Sequence, residues 1–226
     1  KRQVKKFLIL IGLASFLLNF GAPAQAAFPG QNGKIIWSDI LLAENSDPTA
    51  FPVKTAQYDG SGQTTLFDEF ADGDAAIAAR YSADGSKITY YKVDFNDGVG
   101  EVFIANHDGS ARVNVTNLDF NADPNKAAYT AAYPSFSPDA TKIIYSEYWQ
   151  DITLGEWVCH IYAIDSSGAN KVQLTNSVDN CDIAPVYSPD GTKIAFVRHD
   201  KLSNQTSIMV MDADGSNPVS YTHLRA

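Results

Sequence analysis

The chain has 226 residues, 45% of them hydrophobic and 19% charged, and a formal net charge of −9. Residues 1–26 hold four basic residues and no acid, so the remainder carries 13 basic against 26 acidic side chains, a balance of −13. A surface that acidic repels phosphate backbones and anionic lipid, which argues against nucleic acid as a partner and leaves basic or cationic partners open.

The first element is the N-terminus. Lys1, Arg2, Lys5 and Lys6 precede a largely apolar run from Phe7 to Phe20, and Ala24-Gln25-Ala26 supplies small residues at a cleavage position. This pattern predicts a secretory signal peptide over 1–26, because about 14 apolar residues fall short of the roughly 20 needed to span a bilayer. No Cys directly follows the run and no second apolar segment of spanning length exists. The expected product is exported, periplasmic or secreted, without membrane insertion after cleavage.

From residue 33 onward one motif recurs. Gly33-Lys34-Ile35-Ile36-Trp37, Ser86-Lys87-Ile88-Thr89-Tyr90, Thr141-Lys142-Ile143-Ile144-Tyr145 and Thr192-Lys193-Ile194-Ala195-Phe196 share a small residue, Lys, Ile, any residue and an aromatic. Their lysines lie 53, 55 and 51 residues apart, the period of a propeller or solenoid. Turn sequences precede the last three copies: Tyr81-Ser82-Ala83-Asp84-Gly85, Phe136-Ser137-Pro138-Asp139-Ala140 and Tyr187-Ser188-Pro189-Asp190-Gly191. Pro presets φ, while Asp and Gly supply a local hydrogen bond and a permissive backbone, so each reads as a hairpin turn. Alternating stretches at Val53–Gly60, Val102–Gly109, Ile161–Gly168 and Ile208–Gly215 follow, each with Leu66, Val115, Leu174 or Tyr221 six residues on. Four short strands per unit and no amphipathic helix predict an all-β chain, a β-propeller of four-stranded antiparallel blades. The approximate units are 28–67, 75–116, 131–175 and 183–218.

The pattern Phe-Ser-Pro-Asp-x-x-Lys-Ile-x-aromatic, then Ile-Tyr-x-x-Asp-x-x-Gly, then Leu-Thr, resembles the WD-like repeat of TolB-type β-propeller proteins. The resemblance covers most of the chain past residue 27. It implies a propeller fold in an exported protein, and little about activity, since such propellers host binding, scaffolding and enzyme-accessory roles. TolB itself carries an α/β domain ahead of its propeller, whereas here repeats begin almost directly after the leader, so the resemblance is to the family rather than to that protein. Almost no inner-strand sequence precedes Phe28, which predicts an incomplete ring of about four blades. Residues 219–226 read either as the fourth strand of the last unit or as a non-native tail.

Repeated residues belong to the fold, so binding groups are sought where the copies differ. Loops between the second and third strands and the connections between units emerge on one face. That face collects Asp94, Asn96 and Asp97, then Tyr148, Trp149, Asp151 and Trp157, then Asp179 and Asp182. It reads as an acidic, aromatic-rich surface suited to a protein, peptide or glycan. Asp119, Asn121, Asp123 and Asn125 place oxygens at alternate positions as a Ca²⁺ loop does, although Pro124 replaces the turn glycine and Thr130 stands where a closing Glu belongs; no other cofactor is indicated. Cys159 and Cys181, the only cysteines, fall on the same face and form a disulfide candidate in an exported protein. His160 and His199 read as strand-end surface residues.

No G-x-S-x-G, H-E-x-x-H or G-x-x-x-x-G-K-[ST] motif occurs. The expected function is a non-enzymatic binding or scaffold module. The alternatives are a propeller accessory to a larger hydrolase or peptidase, and a calcium- or metal-dependent module.

Overall fold

The computed structural model describes residues 33–39, 41–42, 48–69, 74–95, 98–119 and 123–221. The expected signal peptide, Asn96, Asp97, Asn121 and the last five residues therefore lie outside the described residues. Every regular element among those described is a strand. The first blade has three: β1 (Ile35–Ser38), then a small hairpin of β2 (Leu41–Leu42) and β3 (Pro48–Ala50), then β4 (Pro52–Ala56) and β5 (Thr64–Asp68), in sheet order β1-β4-β5. Comparison with the later copies identifies β1 as a second strand, so no described strand fills the inner position of this blade.

The second blade runs β6 (Asp74–Tyr81), β7 (Lys87–Asp94), β8 (Gly100–Asn106) and β9 (Val113–Asn114), an antiparallel meander. The third repeats it as β10 (Lys126–Phe136), β11 (Lys142–Asp151), β12 (Glu156–Asp165) and β13 (Val172–Gln173). The fourth is β14 (Asn180–Tyr187), β15 (Lys193–Asp200), β16 (Gln205–Asp212) and β17 (Val219–Ser220). Val219 and Ser220 thus occupy the fourth-strand position, pairing with Val210 and Met209. The inner strands of blades three and four begin at Lys126 and Asn180, earlier than the repeat pattern alone suggested, because the residues added there carry no repeat signature.

The repeated residues make repeated contacts. In the turn after each inner strand, the Ser82, Ser137 and Ser188 hydroxyls each donate to the following Asp at 2.6 Å and accept the motif lysine's amide at 2.9–3.0 Å. Hydrogen bonds from Ser82 and Ser86 hold the Asp84 carboxyl at about 2, and those from Ser188 and Thr192 do the same for Asp190. The motif lysines reach across the blade: Lys87 donates to Asn106 at 2.8 Å, Lys142 to Asp165 at 2.8 Å, and Lys193 to Asp212. The hydroxyls of Thr116 and Thr175, two residues past the outer strands β9 and β13, accept the amides of Val102 and Ile161 at 3.0 Å.

Apolar residues on both faces of each blade pack against the next. One core joins blades one and two around Val53, Ile88 and Tyr90. A second joins blades two and three around Val102, Tyr133 and Tyr145, and a third joins blades three and four around Ile161, Ile194 and Phe196. Glycines fix the spacing. Gly109, Gly168 and Gly215 have φ of +82°, +85° and +88°, and a Cβ there would meet the Leu66, Val115 or Leu174 carbonyl of the preceding blade at 3.2, 3.0 and 2.8 Å. The glycine column and the leucine column are therefore two sides of one inter-blade contact.

A second column carries an ion pair in every blade. Five residues past each motif lysine stand Asp39, Lys92, Glu147 and Arg198, which pair with Lys54 (2.8 Å), Asp74 (2.6 Å), Lys171 (2.5 Å) and Asp182 (2.7 Å). The sign of the charge changes from copy to copy and its partner changes strand accordingly. Only the pairing is kept.

Candidate functional site

Blade three differs from its neighbours in length. Strands β11 and β12 have 10 residues each, against 8 and 7 in blade two and 8 and 8 in blade four. The second strands of blades two to four all start at the motif lysine, so the two extra residues of β11 extend the hairpin on the face opposite the Ser-x-Asp turns. At about 3.3 Å per residue this lifts the hairpin by roughly 7 Å. It forms one wall of a cavity of about 1030 Å³ that runs across blades two to four and opens on the loop face.

The lining is apolar and aromatic: Ile77, Tyr91, Val93, Tyr133, Tyr148 and Trp157 contribute, with Ile183 and Val197 from blade four. Polar side chains gather at the mouth, where Gln150, Glu156 and Thr206 are exposed and His199 and Lys201 half-buried. Inner-strand geometry aims the lining. Ala78, Tyr133 and Ala184, at equivalent positions of β6, β10 and β14, have φ of 53–55°, and each lies at a break in register with the second strand. Such a bulge turns adjacent side chains off the regular alternation, and here Ile77, Ala132 and Ile183 point to the cavity from just before it. The Tyr148 ring stands 6.2 Å from Tyr133, which stands 5.6 Å from Tyr91. Burial pushes the Tyr91 and Tyr148 hydroxyls well above the usual phenol range. The Tyr148 hydroxyl is occluded and has no hydrogen-bond partner.

Cys159 of β12 and Cys181 of β14 meet in the same wall as a disulfide, Sγ–Sγ 2.11 Å, joining blades three and four. Closing a loop of this length contributes roughly 3 kcal/mol in the chain-entropy model.

The sequence-derived candidates divide. Tyr148 and Trp157 line the cavity. Trp149, the next residue along the pleat, turns to the opposite side, where it is 7% exposed and packs on Tyr129 and His160, with the Lys126 ammonium 4.2 Å from its ring centre. Asp182 is 1% exposed and gripped by Arg198 through Nε at 2.7 Å and Nη2 at 2.8 Å, so it is a structural carboxylate rather than a surface acid. Asp94 and Asp151 are half-buried and Asp179 exposed, beside the mouth rather than in the cavity. The face is acidic at its rim, but its interior is apolar. Asp119 and Asp123 line a separate cavity of about 310 Å³ with Lys126 and Lys171, and Asp123 accepts the Asn125 amide in a turn. Among the described residues no three His, Cys, Asp or Glu side chains converge for a metal.

His160 corrects the sequence reading. It is 6% exposed, hydrogen-bonded to Gln173 and to the Ser177 carbonyl, and burial lowers its pKa from 6.5. Its strand is covered on both faces by neighbouring elements, a property of the stacked blades that the strand's own sequence does not carry. Glu147 is fully buried, where it accepts hydrogen bonds from Tyr129 and from Tyr145 at 2.9 Å and pairs with Lys171.

Sequence reasoning missed the loop tips. Leu202 (83% exposed), Ile152 (60%), Leu154 (56%) and Val178 (52%) project from the two hairpins and the blade connection beside the mouth. Lys201 ties these loops together: its amide donates to the Asp179 carbonyl at 2.9 Å, its ammonium to the Val178 carbonyl at 2.7 Å, and it lies 3.6 Å from Glu156. Four isolated aliphatic residues in polar loops were the available signal.

A family model described as the TolB beta propeller domain matches residues 34–225. No curated protein matches the sequence. Among solved structures, a protein of Agrobacterium tumefaciens assigned as TolB superposes with a TM-score of 0.61 at 18% identity, over 83% of this chain and 60% of that one. The hydrazine synthase of Kuenenia stuttgartiensis gives 0.62 at 15% identity, over 84% of this chain and 32% of that one. A prolyl endopeptidase gives 0.56 at 11% identity, over 97% and 35%. The chain thus spans 60% or less of each, and at these identities the likeness is one of fold.

Proposed function

Because the chain belongs to the TolB β-propeller domain family, we propose that it is an exported, non-enzymatic scaffold that docks a protein partner on the loop face of blades three and four. The observation that carries this reading is the aliphatic rim of Ile152, Leu154, Val178 and Leu202 on an otherwise acidic face. Four aliphatic side chains at least half exposed, on loops that Lys201 ties together, favour an interaction surface over chance exposure. Aliphatic tips suit a protein surface; a glycan is held by hydrogen-bonding side chains and aromatic platforms, and here the aromatics turn inward. Export rests on the basic-apolar-small N-terminal pattern and on the family. Cationic residues around an apolar patch on the partner would complement the rim carboxylates.

The test compares wild type with a variant carrying Ile152→Ser, Leu154→Ser, Val178→Ser and Leu202→Ser, each cross-linked in cell-envelope extract of the source cells. Retention of a discrete partner by wild type, and its loss by at least tenfold in a variant of unchanged melting temperature, supports the reading. An unchanged retained set, or none, refutes it. A second reading, a propeller accessory to a larger hydrolase, draws on the likeness to the prolyl endopeptidases. A G-x-S-x-G motif in the same natural reading frame would favour it.

A further inference from the structure

The cavity beneath the rim is a second site with different chemistry. Its volume of about 1030 Å³ lies at the top of the range of roughly 300–1,000 Å³ that holds drug-sized ligands. We propose that it binds a small amphiphile, with an apolar body among Ile77, Tyr133, Trp157 and Ile183 and a cationic head at the mouth.

The lining excludes a peptide backbone. Hydroxyls inside the cavity are not offered to a peptide: that of Thr130 donates to the Gly98 carbonyl at 3.0 Å, and that of Tyr148 is occluded. Strand addition to an inner strand is blocked as well. Bulges leave regular runs of only Asp74–Ile77, Thr130–Ala132 and Asn180–Ile183 on the cavity side. Thr130 and Cys181 are further taken up by bridges to Gly100 and Cys159 of the preceding blade. Each amide of an entering peptide would give up its hydrogen bond to water and find none in return. A hydrocarbon or aromatic body has no such groups and loses nothing there.

Charge selects the head. Glu156 stands in the mouth with Lys201 and His199. Asp151 faces Glu156 across the hairpin, while Asp200 adjoins Lys201, whose amide and ammonium are bonded to the Asp179 and Val178 carbonyls. Carboxylates on these loops outnumber Lys201, which favours an ammonium over an anionic head, and Gln150 and Thr206 at the mouth can accept its hydrogen bonds.

The test uses 1-N-phenylnaphthylamine, a dye that brightens in apolar sites, with the whole chain and competitors below their aggregation concentrations. Dodecylamine is expected to displace the dye at a concentration at least tenfold below laurate, with dodecanol between them. Raising salt from about 0.05 to about 0.5 M, which shortens the screening length severalfold, narrows that gap. Ile183→Trp and Ile77→Trp, each filling the cavity, weaken dye binding at least tenfold, and the aliphatic-rim variant leaves it unchanged. That last arm separates this site from partner docking. No dye binding, laurate competing as well as dodecylamine, a neutral leucine-rich decapeptide competing better than either, or undiminished binding in both tryptophan variants with intact folds would overturn the proposal.

Discussion

The glycine column offers the sharpest test of how the blades are spaced. Gly168 sits at φ +85°, and an added Cβ would lie 3.0 Å from the Val115 carbonyl oxygen of the neighbouring blade, a backbone atom that cannot swing aside. Gly85, in the turn before β7, has φ +71° and nothing within 4 Å of the same position. Both substitutions to Ala incur the left-handed penalty of about 1–2 kcal/mol, partly offset by about 0.4–1 kcal/mol from a less flexible unfolded chain. Only Gly168→Ala also forces two blades apart, adding about 1–3 kcal/mol for overpacking. Blade three supplies an internal control, because Ala140 already occupies the position of Gly85 at φ 56°, and Ala140→Gly should be neutral or stabilising by up to about 1 kcal/mol. Urea melts of the three variants measure the differences. The expected order of stability is Ala140→Gly at or above wild type, then Gly85→Ala, then Gly168→Ala lowest. If Gly168→Ala is no worse than Gly85→Ala, the glycine column answers to its turn alone and the inter-blade account is wrong.

Breaking the Arg198–Asp182 pair should be asymmetric. Arg198→Met strands a carboxylate that is 1% exposed and costs about 3–5 kcal/mol, whereas Asp182→Asn leaves a guanidinium able to reach water and costs less; equal costs by chemical denaturation would refute this. Tyr148→Phe removes an occluded hydroxyl without a partner and should leave stability unchanged or raise it by about 1 kcal/mol, read from the urea midpoint. Burial lowers the His160 pKa below 6.5, so the folded state favours the neutral ring. The contribution is fully present above pH 6.5 and is lost as pH falls through the folded pKa, since the unfolded chain then binds the extra proton. Melting temperatures from pH 7.5 to 5 should fall for wild type and fall less for His160→Gln. The turn carboxylates, also lowered, act only below about 4, so the two effects occupy separate windows.

Much of the fold was legible because local chemistry repeats. The Ser-x-Asp turns, the motif lysines and the Leu-Thr segments satisfy their hydrogen bonds within one blade, so the last three copies in the sequence became three similar four-stranded blades. The site was less legible. Tyr148 and Trp149 are adjacent aromatics in one strand, and nothing in their types says which enters the cavity; the pleat sends them to opposite sides. Asp182 reads as a loop acid by its neighbours Asp179 and Asn180, but its partner Arg198 lies on the adjacent strand and takes it out of reach. His160 reads as a strand end until Trp149, Gln173 and the Ser177 carbonyl close around it.

The sequence by itself determined the blade: its period, its turns, its strand order and the face on which unlike residues collect. These follow from contacts between residues close along the chain or paired across one hairpin, and such contacts leave a periodic trace. Tertiary structure alone decided what the face became. The cavity depends on two extra residues in each strand of one hairpin, on left-handed bulges in three inner strands and on a disulfide between blades. The aliphatic rim depends on Lys201 drawing three loops together. The longer hairpin, the disulfide and the rim each belong to one part of the fold alone, so, unlike the repeated glycine contact between blades, they leave no periodic trace in the sequence.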